Sequence, residues 1–244
     1  MLGKLDAGIS GGARMTDADA LKREAAAAAV AMVEDGMLVG LGTGSTATHA
    51  IRLLGERFRA GLRFTGVPTS VASADLARSF GIPLIESPTA EPIDLTIDGA
   101  DEIGEGDLAL IKGMGGALLR EKIVASASKR MIVIADGSKL RPRLSGQVAV
   151  PVEIVGFGFE STVAHLATLG CRPMSKRDGR GEPYRTDNGN LIFNCAFDDL
   201  SDPLAVERAL SMTVGVVETG LFLGLATTAL VASSSGVKRI DRNP

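Results

Sequence analysis

Short apolar runs alternate with amphipathic stretches along most of the chain. Thr16, with Asp19 three residues on, resembles a capping box, and an alanine-rich helix follows to about Glu34. "MLVGLG" then reads as a short apolar strand, and "TGST" turns into a helix through Ile51 and Leu54. "RFTGVPTS" is a second strand ending in hydroxyls, and "SADLARSFG" a helix stopped by Gly81. "IPLIES" predicts a third strand, "IDLTIDGADEI" a fourth, and "LALIKGMGG" a fifth that leads into the helix "ALLREKIVASASK". "RMIVIADGSKL" predicts a sixth. Short apolar strands alternating with helices argue for an α/β fold, a mostly parallel sheet with helices on both faces.

The pattern changes near Gly146. "VAVPVEIVG" predicts a strand, "FESTVAHLATLG" a helix and "CRPMSKR" a strand. "PYRTDNGNLIFNCAF" contains a strand with an Asn188-Gly189 turn, "DPLAVERALSM" is a helix beginning at Pro203, and "VGVVETGLF" a last strand. That order reads as a split βαβ, a small ferredoxin-like α+β domain over residues 147–219. Residues 15–146, with a tail from about Gly220 that returns to them (220–244), form the larger domain. The first fourteen residues, "MLGKLDAGISGGAR", are glycine-rich and patternless. They read as a disordered tail or an expression remnant, with Met15 as an alternative start.

Composition narrows the class. The chain has 244 residues, 45% apolar and 23% charged, which suits a globular protein with a sizeable core. Its most apolar late stretch, "LFLGLATTALVASSSG", is broken by glycine and threonine and reads as buried strand and loop, so no membrane partner is expected. Net charge is −3 without a basic face or arm, which gives nucleic-acid binding little support. Cys171 and Cys195 lack a C-x-x-C spacing, so neither a zinc site nor a redox pair is expected, and a reducing compartment is the default. No secretory signal is apparent, and the location expected is cytoplasmic.

Candidate chemistry gathers at strand ends. "VGLGTGST" lacks the third glycine of a dinucleotide fingerprint and the lysine of a P-loop. What remains is backbone N–H groups, the Thr43, Ser45 and Thr46 hydroxyls, and a helix N-terminus, a set that suits an anion such as phosphate; a plain tight turn is the competing reading. "KGMGG" (Lys112, Gly113, Met114, Gly115, Gly116) is a second such turn, and its lysine ends an apolar strand where open α/β sheets bind ligands. Asp98 and Asp101 belong to the same rim. They are solvated loop acids, a magnesium site, or acid–base groups set against Lys112. No histidine lies near by to enlarge a metal shell, and the lysine would compete with a cation, which favours the last reading. Glu121 has apolar neighbours at helical spacing, a setting that raises a carboxyl toward a useful base. Arg120 and Lys122 have apolar neighbours too, so spacing alone does not select it. Lys139 in "ADGSK" can also sit on the rim, against the reading of a solvated lysine. Lys22 and Arg23 read as a solvated helix face, His49 as structural, and His165 lies far from every motif.

With "VGLGTGSTATHAI", "TIDGADEI", "LIKGMGGALLREKI", "IVIADGSK", "VPVEI" and "RTDNGN" in order, the chain closely resembles the A-type ribose-5-phosphate isomerases. The resemblance covers nearly everything after Met15. It implies a Rossmann-like domain plus a small α+β domain, a homodimer or dimer of dimers, and interconversion of D-ribose 5-phosphate and D-ribulose 5-phosphate with no metal and no nucleotide cofactor. Carried over by motif, Glu121 looks like the base that moves a proton between C1 and C2. Asp98, Asp101 and Lys112 look like the groups for ring opening and for holding the enediolate, with Asp98 favoured for the ring. Thr43, Gly44, Ser45, Thr46, Gly99, Ala100, Gly113, Met114, Gly115 and Lys139 look like substrate-binding positions, together with Asp98, Asp101 and Lys112. Met114 stands where many relatives have a small residue. Two other classes compete. One is a non-catalytic sugar-phosphate sensor, for which the short N-terminus leaves no room for the usual DNA-binding helices. The other is an amino-sugar phosphate deaminase.

Overall fold

The computed structural model describes residues 17–242. The glycine-rich tail, Met15 and the Thr16 half of the capping box lie outside them. Helix α1 (Asp17–Val30) precedes β1 (Leu38–Leu41), α2 (Ser45–Arg59), β2 (Thr65–Pro68), α3 (Val71–Ser79), β3 (Leu95–Gly99), β4 (Glu102–Gly104) and β5 (Leu110–Ile111). Then follow α4 (Leu118–Ser126), β6 (Met131–Asp136), a 3-10 turn (Gly137–Lys139) and β7 (Leu140–Arg141). The central sheet runs β14-β13-β6-β3-β1-β2, where β13 (Thr228–Ser233) and β14 (Gly236–Asp241) form a closing hairpin. All its other pairings are parallel. Strands β1 and β6 are buried at every position, as a sheet covered on both faces requires. One face packs Leu41, Ile97, Ile134 and Leu54 with α1 and α2, and the other packs Val133, Val231, Leu110 and Phe222.

The remaining strands build two further sheets. β8 (Val150–Ile154), α5 (Phe159–Thr168), β9 (Cys171–Ser175), β10 (Leu191–Phe197), α6 (Pro203–Ser211) and β11 (Val216–Thr219) form an antiparallel sheet ordered β11-β8-β10-β9, the ferredoxin-like arrangement. A small sheet, β12-β5-β4-β7, with β12 at Leu221–Phe222, joins the two.

Four expected strands differ from what is found. "IPLIES" makes one bridge, Gly66 to Leu84, and no strand, because Pro83 has no N–H to give and Pro88 follows closely. "LTIDGADEI" is two strands: β3 stays in the central sheet, whereas β4 pairs with β5 and β7. β5, within "LALIKGMGG", lies in the small sheet and not the central one. "VGVVETGLF" breaks at Gly220, whose N–H donates to the Pro151 carbonyl and whose carbonyl accepts from Lys112 N–H at 2.9 Å. A side chain there would lie 2.2 Å from the Lys112 carbonyl, so only glycine lets the strand cross at that point.

The sheet order also places the site. From β1 the chain goes outward to β2 on one side and later returns to β3 on the other. The carboxyl ends of β1 and β3 therefore flank a topological switch point, the crevice where open α/β sheets take ligands. Among the described residues no helix is long and apolar enough to cross a membrane.

Candidate active site

The loop after β1 is shaped by close approach. An added Cβ at Gly42 would lie 2.2 Å from Asp98 Oδ1, so a side chain at 42 and the Asp98 carboxylate exclude each other. Gly44, at φ 101°, turns the chain so that α2 starts at Ser45 with its first N–H groups uncapped by a side chain. The hydroxyls that end β2 hold this loop from behind. Thr43 Oγ1 lies 2.7 Å from Thr69 Oγ1 and donates to Ser70 Oγ at 2.8 Å, and Ser73 Oγ donates to the Gly42 carbonyl at 2.6 Å.

Asp98, Lys112 and Glu121 meet behind that loop although 23 residues separate the first from the last. Asp98 Oδ1 accepts from the Thr43 and Gly99 N–H groups at 3.1 and 2.7 Å. Lys112 Nζ lies 3.0 Å from Asp98 Oδ2 and 3.4 Å from Glu121 Oε2, and donates to the Gly99 carbonyl at 2.6 Å. All three side chains are almost wholly buried, at 0%, 2% and 3% exposure. Asp98 Oδ2 and Glu121 Oε2 sit within ion-pair distance of the ammonium but off hydrogen-bond alignment, which leaves both atoms uncommitted.

Two carboxyls thus share one buried cation. Burial pushes the Asp98 carboxyl up, against Lys112 and the two N–H donors. Burial likewise pushes Glu121 up to about 8, against Lys112, with Asp98 and Asp101 adding to the rise. Burial works the other way on Lys112, yet Asp98 and Glu121 outweigh it and push the lysine up, so the ammonium stays charged. The lysine's Nζ lies over the Phe222 ring, 5.5 Å from its centroid.

A cleft open to solvent, with about 520 Å³ of space, lies over this cluster. Its wall includes Thr43, Gly44, Ser45 and Thr46 from the β1 loop, Gly99, Ala100 and Asp101 after β3, Lys112, Gly113 and Gly115 after β5, then Glu121 and Lys139. Two expected positions fall elsewhere. Asp98 stands behind the wall, joined to it through Lys112. Met114 is 38% exposed and off the wall, and its N–H donates to Asp101 Oδ2 at 2.9 Å.

Tertiary packing also settles what helical spacing left open. On α4 only Glu121 of the three charged residues is buried; Arg120 binds Asn188 and Lys122 binds Glu218. Lys22, read from sequence as part of a solvated face, lines the cleft, with Nζ 3.1 Å from Ser45 Oγ. No local signal marks it, because α1 reaches the cleft only by packing on α2 and β6. Asp136 ties Lys22 to Lys139: burial disfavours its charge, but Ser138 and both lysines hold its carboxyl below the usual range. His49 is structural, with Nε2 3.1 Å from Asp19 Oδ1.

Fold and cleft together define an α/β enzyme whose cleft lies over two buried carboxyls and a lysine. The family model of ribose 5-phosphate isomerase A (phosphoriboisomerase A) matches residues 65–236. A ribose-5-phosphate isomerase A from Synechococcus sp. (strain JA-3-3Ab) is 48% identical over 230 residues, 94% of this chain and all of that one. Among solved structures, ribose 5-phosphate isomerase A from Methanocaldococcus jannaschii is 37% identical with a TM-score of 0.87, over 92% of this chain and 99% of that chain. A D-ribose-5-phosphate isomerase in complex with phospho-erythronic acid is 35% identical with a TM-score of 0.89, over 93% of this chain and all of that one. The chain belongs to the ribose 5-phosphate isomerase A family.

Proposed function

We propose that the cleft interconverts D-ribose 5-phosphate and D-ribulose 5-phosphate by proton transfer through an enediolate, with Glu121 as the base. One observation carries the assignment: Glu121 is the carboxyl on the cleft wall that burial lifts to about 8, with one oxygen uncommitted. Such a carboxyl can take a proton at neutral pH and give it back.

The phosphate dianion fits the end of the cleft where Lys22, Lys139, the Ser45 and Thr46 hydroxyls and the start of α2 converge. That places the reacting carbons toward Lys112 and Glu121. Ring opening needs a group that trades a proton with the ring oxygen or the anomeric hydroxyl. Asp98, raised by burial and with Oδ2 uncommitted, suits that exchange. Asp98 does not itself line the cleft, so the exchange would pass through Lys112, which does and lies 3.0 Å from Oδ2. Asp101, held by the Met114 N–H, suits a sugar hydroxyl. Glu121 then removes the C2 proton of the open aldose, the electron pair passes to the carbonyl oxygen, and Lys112 compensates the charge that develops there. Moving the O2 proton to O1 and returning the carbon-bound proton from Glu121 to C1 completes the ketose, with C2 now the carbonyl.

The phospho-erythronic acid held by the solved relative supports this reading, being a phosphorylated sugar acid with an oxyanion end. Membership of the family supports a place in the pentose phosphate pathway, a cytoplasmic location and a homodimer or dimer of dimers. The separate antiparallel sheet of β8 to β11 favours a two-domain division near 146/147 and 219/220. A coupled assay on ribose 5-phosphate with and without exhaustive EDTA tests the proposal. Turnover indifferent to EDTA is expected. Binding without turnover would point to a sensor, and loss restored by magnesium or manganese would return a metal to the site.

A further inference from the structure

The turn at residues 186–190, "TDNGN", belongs to the ferredoxin-like unit but fastens onto both walls of the cleft's supporting structure. Glu153, on β8, builds it. This fully buried carboxylate accepts on one oxygen from Thr186 Oγ1 at 3.0 Å, Asn188 Nδ2 at 3.3 Å and Asn190 Nδ2 at 2.9 Å. Two connections leave the turn. Asp187 Oδ2 accepts the Val71 N–H, in the first turn of α3, at 2.8 Å. Asn188 Oδ1 and the Asp187 carbonyl accept from Arg120 at 2.9 and 3.1 Å, with the Asp187 carboxylate 3.7 Å from the guanidinium.

Each connection ends at a reactive group. Arg120 immediately precedes Glu121 on α4. Ser70 caps the start of α3, its Oγ accepts from Thr43 Oγ1, and the Thr43 N–H holds Asp98. The Asp187 carboxylate thus starts a chain of contacts to Asp98 through α3, and adds an ion pair at 3.7 Å to the hydrogen bonds by which its own carbonyl and Asn188 hold the helix of Glu121. The lysines and hydroxyls at the phosphate end are carried instead by α1, α2 and the turn after β6.

We infer that Asp187, on the turn that Glu153 organises, is a positioning residue that sets the placement of Asp98 against Glu121. The inference rests on the isomerase reading. Displacing reacting groups by about 1 Å can cost about a hundredfold in rate, while the phosphate-end groups, carried on other elements, keep their places. Its loss should therefore appear in turnover and not in affinity.

The test compares Asp187→Ala, Asp187→Asn and Arg120→Ala with Arg172→Ala, which removes an exposed ion pair to Asp198 in the same unit. Calorimetric titration with phospho-erythronic acid counts folded sites, so that kcat is taken per competent site and partial unfolding cannot imitate the effect. Asp187→Ala and Arg120→Ala should lower kcat roughly tenfold to a hundredfold. KM and analogue affinity should stay within about threefold of the wild type, which is under 1 kcal/mol. Asp187→Asn keeps an acceptor for Val71 N–H and should recover most of the turnover. With substrate deuterated at C2, the isotope effect on kcat should rise in the Ala variants as proton transfer becomes slower. Turnover per site equal to that of Arg172→Ala, a loss confined to KM, or no rescue by Asn would overturn the inference. If the wild type turns over and Glu121→Gln does not, while the Asp187 and Arg120 variants match the control, only the positioning role fails. An inactive wild type would overturn the isomerase reading and this inference with it.

Discussion

Glu121→Gln exchanges a carboxyl for an amide of the same shape at a position almost closed to water. Burial lifts the carboxyl from its ordinary 4.5 to about 8, so at neutral pH the protonated form dominates and a minority carries the ionised base. The base works only when ionised, so kcat/KM should fall about tenfold per pH unit below that midpoint and level off above it. Stability responds with the opposite sign. The folded chain keeps the proton up to about 8, whereas the unfolded chain loses it near 4.5. This group's contribution to stability is thus full below about 4.5 and is lost as pH rises toward about 8. Initial rates of ribulose 5-phosphate formation, measured across that range, read the acid limb directly. The glutamine variant should lose roughly 10²–10⁴ in turnover and, with it, the limb, while still binding ribose 5-phosphate. Near-normal turnover would remove Glu121 as the base. A wild-type limb centred near 4.5 would refute the claim that burial governs this carboxyl.

Lys112→Met leaves Asp98 and Glu121 buried without their cation, and should lower unfolding free energy by about 3–5 kcal/mol in denaturant titrations; a change under about 1 kcal/mol would mean that the ion cluster does not hold this region together. Lys139→Ala and Lys22→Ala each remove a charge-assisted contact of roughly 1.5–3 kcal/mol, so KM should rise about tenfold to a hundredfold while kcat holds. An effect confined to kcat counts against the phosphate assignment. Gly42→Ala puts a methyl 2.2 Å from Asp98 Oδ1 and should cut turnover at least about tenfold; unchanged turnover would show that Asp98 can move without consequence.

The local pattern carried much of the architecture. Uniformly apolar strands such as β1 and β6 were legible because a strand buried on both faces has no polar side to alternate. The ferredoxin-like order was legible because turns and helices divide that stretch cleanly. "IPLIES" misled because its apolar composition suits a strand, while Pro83 removes a donor that the ladder needs. The break in "LTIDGADEI" was invisible because β4 leaves the central sheet only to meet β5 and β7.

"DGADEI" states the division most clearly. Its sequence alone determined that three carboxylates stand at the end of an apolar strand, near glycine turns and a lysine. Only the tertiary structure decided their partners: Asp98 faces Lys112, Asp101 accepts from the Met114 N–H, and Glu102 accepts from the Ser145 N–H and hydroxyl. The same holds for Glu121 against Arg120 and Lys122, and for Lys22. Side-chain period and turn chemistry are local, so they can be read along the chain. Burial, and the charge that meets each carboxylate, depend on segments 13 to 43 residues away in these three cases, which only the folded sheet brings together.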